Sequence, residues 1–180
     1  MVVALAAMPA AMVAQNLSGT VVADDTGKPL TGATVIAIQK TGAVSQRPAI
    51  YKAPVDASGR YAMTVSAGQY QLCVHGGGLY LDPCQWGSAT TRSVTAAAAA
   101  SAALRLQKGA WFILRVHDAQ GLLPQGESVH GSSVSVHVTG AAVKQFPLPM
   151  VYDSGRVRDY GAVVPMNSPL NVVVGSGSVI

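Results

Sequence analysis

One pattern governs residues 19–74 of this 180-residue chain. It reads Gly-x-Val-Val-x-Asp-x-x-Gly-x-Pro-Leu-x-Gly-Ala-x-Val from Gly19, then Asp56-x-Ser-Gly-Arg-Tyr-x-Met-x-Val-x-x-Gly-x-Tyr-x-Leu-x-Val, ending at Val74. Apolar residues at alternate positions are the period of a strand with one buried face, and Gly, Asp and Pro clusters supply the turns between such strands. Further strand signals run over Leu17 to Asp24, Ala33 to Gln39, Tyr61 to Val65, Tyr70 to Val74, Ala103 to Leu106, Trp111 to Asp118, Val134 to Thr139, Ala162 to Val164 and Leu170 to Val174. Sustained helical spacing is missing, so the expected class is all-β, built as antiparallel sandwiches rather than a parallel βαβ sheet.

Thr95 to Ala103 carries five consecutive alanines. Their helix propensity is high, but the run is shorter than the roughly 12 residues an isolated helix needs, so it is expected to be a connection with a helical turn.

Composition narrows the function classes. Hydrophobic residues make up 49% of the chain and charged residues 11%, yet no uninterrupted apolar run reaches the roughly 18 to 20 residues of a membrane-spanning helix. The net charge of +4 comes from basic residues scattered singly, apart from Arg156 and Arg158. A nucleic-acid surface would gather them on one stripe with aromatics between, so no nucleic-acid partner is expected.

The Gly19–Val74 pattern resembles the carboxypeptidase regulatory-like domain, a prealbumin-like β-sandwich. The resemblance implies a non-catalytic module that serves as scaffold or interaction surface. The alanine run lies where that family turns into its last strand, before Leu104-Arg-Leu.

A weaker echo follows. Val22, Asp24 and Gly27 correspond to Val116, Asp118 and Gly121 at an offset of 94, Gly59-Arg60 to Gly155-Arg156 at 96, and Tyr70, Leu72 and Val74 to Leu170, Val172 and Val174 at 100. Order is kept while the offset drifts, as two copies with small insertions would read. The expected organisation is two prealbumin-like or immunoglobulin-like sandwiches in tandem: 15–108, resembling the regulatory-like domain, and 109–180, a degenerate and incomplete copy. The second unit has no counterpart of Leu104 to Leu106. Either the chain is incomplete or an edge of this unit is completed by strand addition from elsewhere.

Residues 1–14 are almost wholly Ala, Val, Met and Leu and stop at Gln15-Asn16. They read as the apolar part of a secretory signal peptide that lacks its basic start; a buried first strand or helix would need alternation or a polar face. Cys73 and Cys84, eleven positions apart, are expected to form a disulfide in an exported chain. With Tyr70, Leu72 and Val74 facing inward, Cys73 faces outward, and the bridge is expected as a surface staple on a loop. That loop would present His75, Tyr80, Asp82 and Trp86 around Gly76-Gly77-Gly78 as a candidate binding loop. The alternative for Trp86 is packing on the bridge and Leu81.

No catalytic constellation is recognised. His75, His117, His130 and His137 are not spaced as metal ligands, so no metal or other cofactor is expected. Asp24, Asp25, Asp56, Asp118 and Asp153 stand in turns, Glu127 is the sole glutamate, and no Gly-x-Ser-x-Gly elbow occurs. The expected function is therefore a non-enzymatic structural or interaction module of the cell envelope, secreted or periplasmic, with a protein or carbohydrate ligand. One alternative is an accessory domain of a larger exported enzyme or transporter. Another is a carbohydrate-binding module, which would need exposed aromatics from among Tyr51, Tyr80, Trp86, Trp111 and Tyr152.

Overall fold

The structure is a computed structural model that describes residues 15–42, 46–87, 89–96, 98–123, 134–138 and 146–174. The apolar 1–14 segment, Glu127 and His130 lie outside them, as does the side chain of His137. The described residues form strands joined by turns and contain no helix.

The first seven strands are β1 (Gln15–Ala23), β2 (Thr34–Gln39), β3 (Ile50–Pro54), β4 (Arg60–Val65), β5 (Gly68–His75), β6 (Thr90–Val94) and β7 (Ala100–Leu106). Six more follow: β8 (Gly109–His117), β9 (Val134–Val138), β10 (Phe146–Pro147), β11 (Met150–Asp153), β12 (Val157–Pro165) and β13 (Leu170–Val174).

The first seven make two sheets, ordered β4-β1-β7 and β3-β2-β5-β6. Alternation along each strand sends one side chain in two to a shared interior: Leu17 and Val21 from β1, Met63 and Val65 from β4, Val35 and Ala37 from β2, Tyr70, Leu72 and Val74 from β5. The remaining strands form β11-β12-β8 and β10-β9-β13, around a smaller core of Val134, Val136, Leu148, Tyr160 and Ala162. Phe112, Leu114 and Val116 of β8 pack against it while half-buried. The fold is an all-β sandwich architecture with two core clusters.

Three expectations need correction. The alanine run makes no helical turn among the described residues: Ala100–Leu106 is a strand running parallel to β1, with Leu17 opposite Ala100 and Ala23 opposite Leu106. Tertiary pairing overrides helix propensity because Ala102, Leu104 and Leu106 are needed inside the core. The fit is tight at Gly19, where a Cβ would lie 1.8 Å from the Ala102 carbonyl oxygen. Tyr61 Oη donates to that same oxygen at 3.1 Å.

Second, strands β3, β6, β10 and β11 lacked a signal. β3 and β6 are the outer strands of their sheet. Edge strands carry polar residues or proline without cost because one side has no ladder to make, as Thr90-Thr91-Arg92 and Pro54 do here.

Third, the bridge is not a surface staple. Cys73 does face away from the first core, but it is only 2% exposed, and its register partner Ile36 is also buried. The segment after β5 folds back over this outer face and covers it.

Candidate binding cleft at the disulfide-tied loop

β5 ends at His75, and the chain then needs an abrupt reversal. Gly76 and Gly78 provide it, with φ of 80° and 66°, in the left-handed region that side chains disfavour. The returning chain is pinned to the link between β7 and β8 and to the start of β8: Tyr80 bridges to Lys108, Leu81 N–H donates to the Gln107 carbonyl at 2.9 Å, and Gly109 N–H donates to the Leu79 carbonyl at 2.7 Å. A tight turn follows, in which the N–H groups of Gln85 and Trp86 both donate to the Asp82 carbonyl at 3.1 Å. The Cys73–Cys84 disulfide, with Cα atoms 5.1 Å apart, ties that turn to β5.

The geometry places Asp82 under the loop, 8% exposed. One carboxylate oxygen, Oδ1, accepts the Cys84 N–H at 2.8 Å, and the other, Oδ2, lies 2.7 Å from His75 Nε2. Burial raises the Asp82 carboxyl above its ordinary range, opposed by the Cys84 N–H and by His75. His75 itself is more than half exposed, so one ring nitrogen is held by Asp82 while the rest of the ring faces solvent. Cys73, Asp82 and Cys84 bring three potential ligand atoms within 4.8 Å, but both sulfurs are committed to the disulfide.

This loop walls one side of a cleft of about 230 Å³. His75, Tyr80, Asp82 and Gln85 line that side, and Trp111, Gly161 and Val163 line the opposite one. β8 and β12 position the second wall. Their register sets Trp111 opposite Val163 and Ile113 opposite Gly161, on the face turned away from Phe112 and Leu114. Gly161 is what seats the indole: a Cβ there would lie 2.9 Å from Trp111 Cζ2. Trp111 remains 50% exposed.

Of the loop residues singled out by sequence, the structure brings His75, Tyr80 and Asp82 to the cleft. Trp86 is half-buried and does not line it. The Tyr80 hydroxyl reaches Asp25 at 3.5 Å. Trp111 was legible only as one of five aromatics, and Gly161 had no signal except a glycine inside a strand, which marks close approach. Tyr51 turns elsewhere, edge-on to Tyr70 with ring centroids 5.9 Å apart.

A larger hollow of about 590 Å³ lies over Ser18, Thr20, Asp56 and Arg60. Its carboxylate is occupied, since Asp56 Oδ1 accepts the N–H groups of Ser58 and Arg60 at 2.8 Å. Other carboxylates serve structure likewise. Asp118 accepts the N–H groups of Leu122 and Leu123 at 2.8 and 2.9 Å, and Asp159 takes a two-pronged ion pair from Arg115 at 2.8 Å.

No protein-family model matches the chain, and no curated protein matches it. Among solved structures it is similar to a DUF3823 family protein from Bacteroides ovatus at 11% identity, covering 92% of this chain and 83% of that one with a TM-score of 0.41. A DUF3823 family protein from Parabacteroides merdae is 16% identical over 91% of this chain and 81% of that one, with a TM-score of 0.37. The Streptococcal ancillary pilin is 11% identical over 93% of this chain and 51% of that one, with a TM-score of 0.43.

Proposed function

We propose that this chain is a non-catalytic β-sandwich protein of the cell envelope that works by binding, and that its binding surface is the cleft between the disulfide-tied loop and the β8–β12 ladder. The observation that carries this reading is the convergence on one small cleft of the buried Asp82, the His75 held by it and the half-exposed Trp111. Convergent polar groups beside an aromatic wall are how ligand sites are built.

Other features support it. A disulfide suits an oxidising compartment, in keeping with the export segment read at 1–14. Asp56, Asp118 and Asp159 are held by turn amides or an arginine, which suits a scaffold more than acid–base chemistry. We read 15–108 as a carboxypeptidase regulatory-like domain and 109–180 as its degenerate repeat, and the separate cores fit that division. No helix among the described residues is long and apolar enough to cross a membrane.

The test is cosedimentation of the purified protein with isolated envelope fragments. The wild type is expected to pellet with them, and Trp111→Ala to remain in the supernatant. Equal pelleting of both proteins, or of neither, would sink the assignment to this cleft.

A second reading, an accessory part of a larger exported assembly, is favoured by the edge of β8. Among the described residues β8 is paired on one side only, by β12, whereas β1 is paired on both sides, by β4 and β7. A strand running parallel to β8, as β7 runs to β1, would cover the half-buried Phe112, Leu114 and Val116. A catalytic or barrel segment in the complete transcript would favour this reading over a stand-alone role.

A further inference from the structure

We infer that the cleft takes one uncharged pyranose ring of a carbohydrate, stacked on Trp111 and hydrogen-bonded by Gln85 and by His75, which Asp82 orients; this rests on the reading of the cleft as the binding surface.

Size comes first. About 230 Å³ is smaller than the roughly 300 Å³ at which pockets for drug-sized ligands begin, so the space suits a single ring with its neighbours left in solvent. Gly76, Gly77 and Gly78 line the cleft without side chains to fill it.

The aromatic wall fits one face of such a ring. Gly161 receives one part of the Trp111 indole, and half of the residue's surface stays open. An indole face is electron-rich, and the axial C–H bonds of a pyranose present weakly positive hydrogens to it. Gly161 is also a costly choice within a strand, which the seating of Trp111 explains.

The polar wall fits hydroxyls. Asp82 is engaged on both oxygens, Oδ1 by the Cys84 N–H and Oδ2 by His75, and so serves to orient the ring of His75, which with Gln85, a donor and an acceptor at once, faces the cleft. A sugar hydroxyl donates and accepts at once and matches such a mixture. Lining residues include a carboxylate and no Lys or Arg, so a phosphate or sulfate would meet repulsion without a compensating cation. A proline-rich peptide would also stack on Trp111, but it asks for a run of aromatic grooves and offers few hydrogen-bonding groups to His75 and Gln85.

The test uses the whole chain. Saturation-transfer NMR is recorded with methyl glycosides of neutral hexoses and N-acetylhexosamines, and with a proline-rich peptide as the competing class. Transfer is expected to the ring C–H protons of at least one sugar. Affinity should fall about tenfold or more in Trp111→Ala and be partly retained in Trp111→Phe, with the urea midpoint of both variants near wild type. Three outcomes overturn the inference: no transfer to any sugar, transfer unchanged in Trp111→Ala, or transfer to the peptide alone. If envelope cosedimentation depends on Trp111 while no sugar binds, the ligand class is wrong and the cleft stands. If cosedimentation is also indifferent to Trp111, both fall.

Discussion

Trp111 occupies the space that a side chain on Gly161 would need: Cζ2 lies 2.9 Å and Cε2 3.4 Å from an ideal Cβ at that position. The two residues sit on neighbouring strands of one ladder, two residues out of register and so on the same face. A glycine inside a strand lowers its stability, so its presence beneath an exposed indole ties a local sequence choice to the shape of the cleft.

Gly161→Ala tests that tie. The clashing atom belongs to the far end of a side chain that is half free, so the indole moves and the backbone stays. Stability is expected to change by less than about 1 kcal/mol, since relief by the indole offsets the overpacking that such a methyl causes in a closed core. The Trp111 indole N–H resonance should shift and binding at the cleft should weaken. An unmoved resonance would show that Gly161 does not set the position of the ring.

Removing the bridge by Cys73→Ser with Cys84→Ser should lower stability by about 3 kcal/mol in the chain-entropy picture of a loop this size. It should also release the turn whose Cys84 N–H fixes Asp82. Urea unfolding of the double variant and of reduced wild type provides the check, and coincidence of both midpoints with that of oxidised wild type would contradict it.

Acid should weaken the fold. Asp118 is held below the ordinary 3.8, first by the Leu123 N–H and then by that of Leu122. Asp159 is held below the same value, first by its hydrogen bonds from Arg115. In both cases the unfolded chain takes up protons before the folded one, so their contribution is present above the ordinary carboxylate value and is lost as pH falls through the lower folded values. Asp82 works the other way: burial raises its carboxyl, so the folded chain binds that proton more tightly and its cost is relieved in acid. The share of the urea midpoint that Asp118 and Asp159 supply is expected to be lost between about pH 5 and about pH 3. The loss should be smaller in Asp118→Asn with Asp159→Asn. A midpoint independent of pH would contradict the roles given to these two aspartates.

How far the sequence reaches can be seen residue by residue. Tyr70, Leu72 and Val74 alternate with polar partners, and that parity correctly turns Cys73 away from the core. What parity cannot say is that Leu81 and Asp82 return to cover it, because that depends on the hydrogen bond from Leu81 to Gln107, 26 residues further along. Ala100 to Ala103 carry helix propensity and become strand because β1 presents Gly19 at the one point where Ala102 must approach. The edge strands β3 and β6 stay hidden because an edge needs little apolar content. The loop half of the cleft is a local stretch and could be read. The Trp111–Gly161 half joins it only through tertiary contact, and its sole traces are a Trp out of phase with Phe112 and Leu114 and a glycine within Val157–Pro165.

The central claim is that binding takes place in the cleft between the disulfide-tied loop and the β8–β12 ladder. Hydrogen exchange followed by mass spectrometry, with and without envelope fragments, tests it most directly. The account predicts added protection in peptides covering 74–86, 109–113 and 161–163, and little change over the hollow at Ser18, Asp56 and Arg60. Protection confined to that hollow, or spread evenly over both sandwiches, would contradict it.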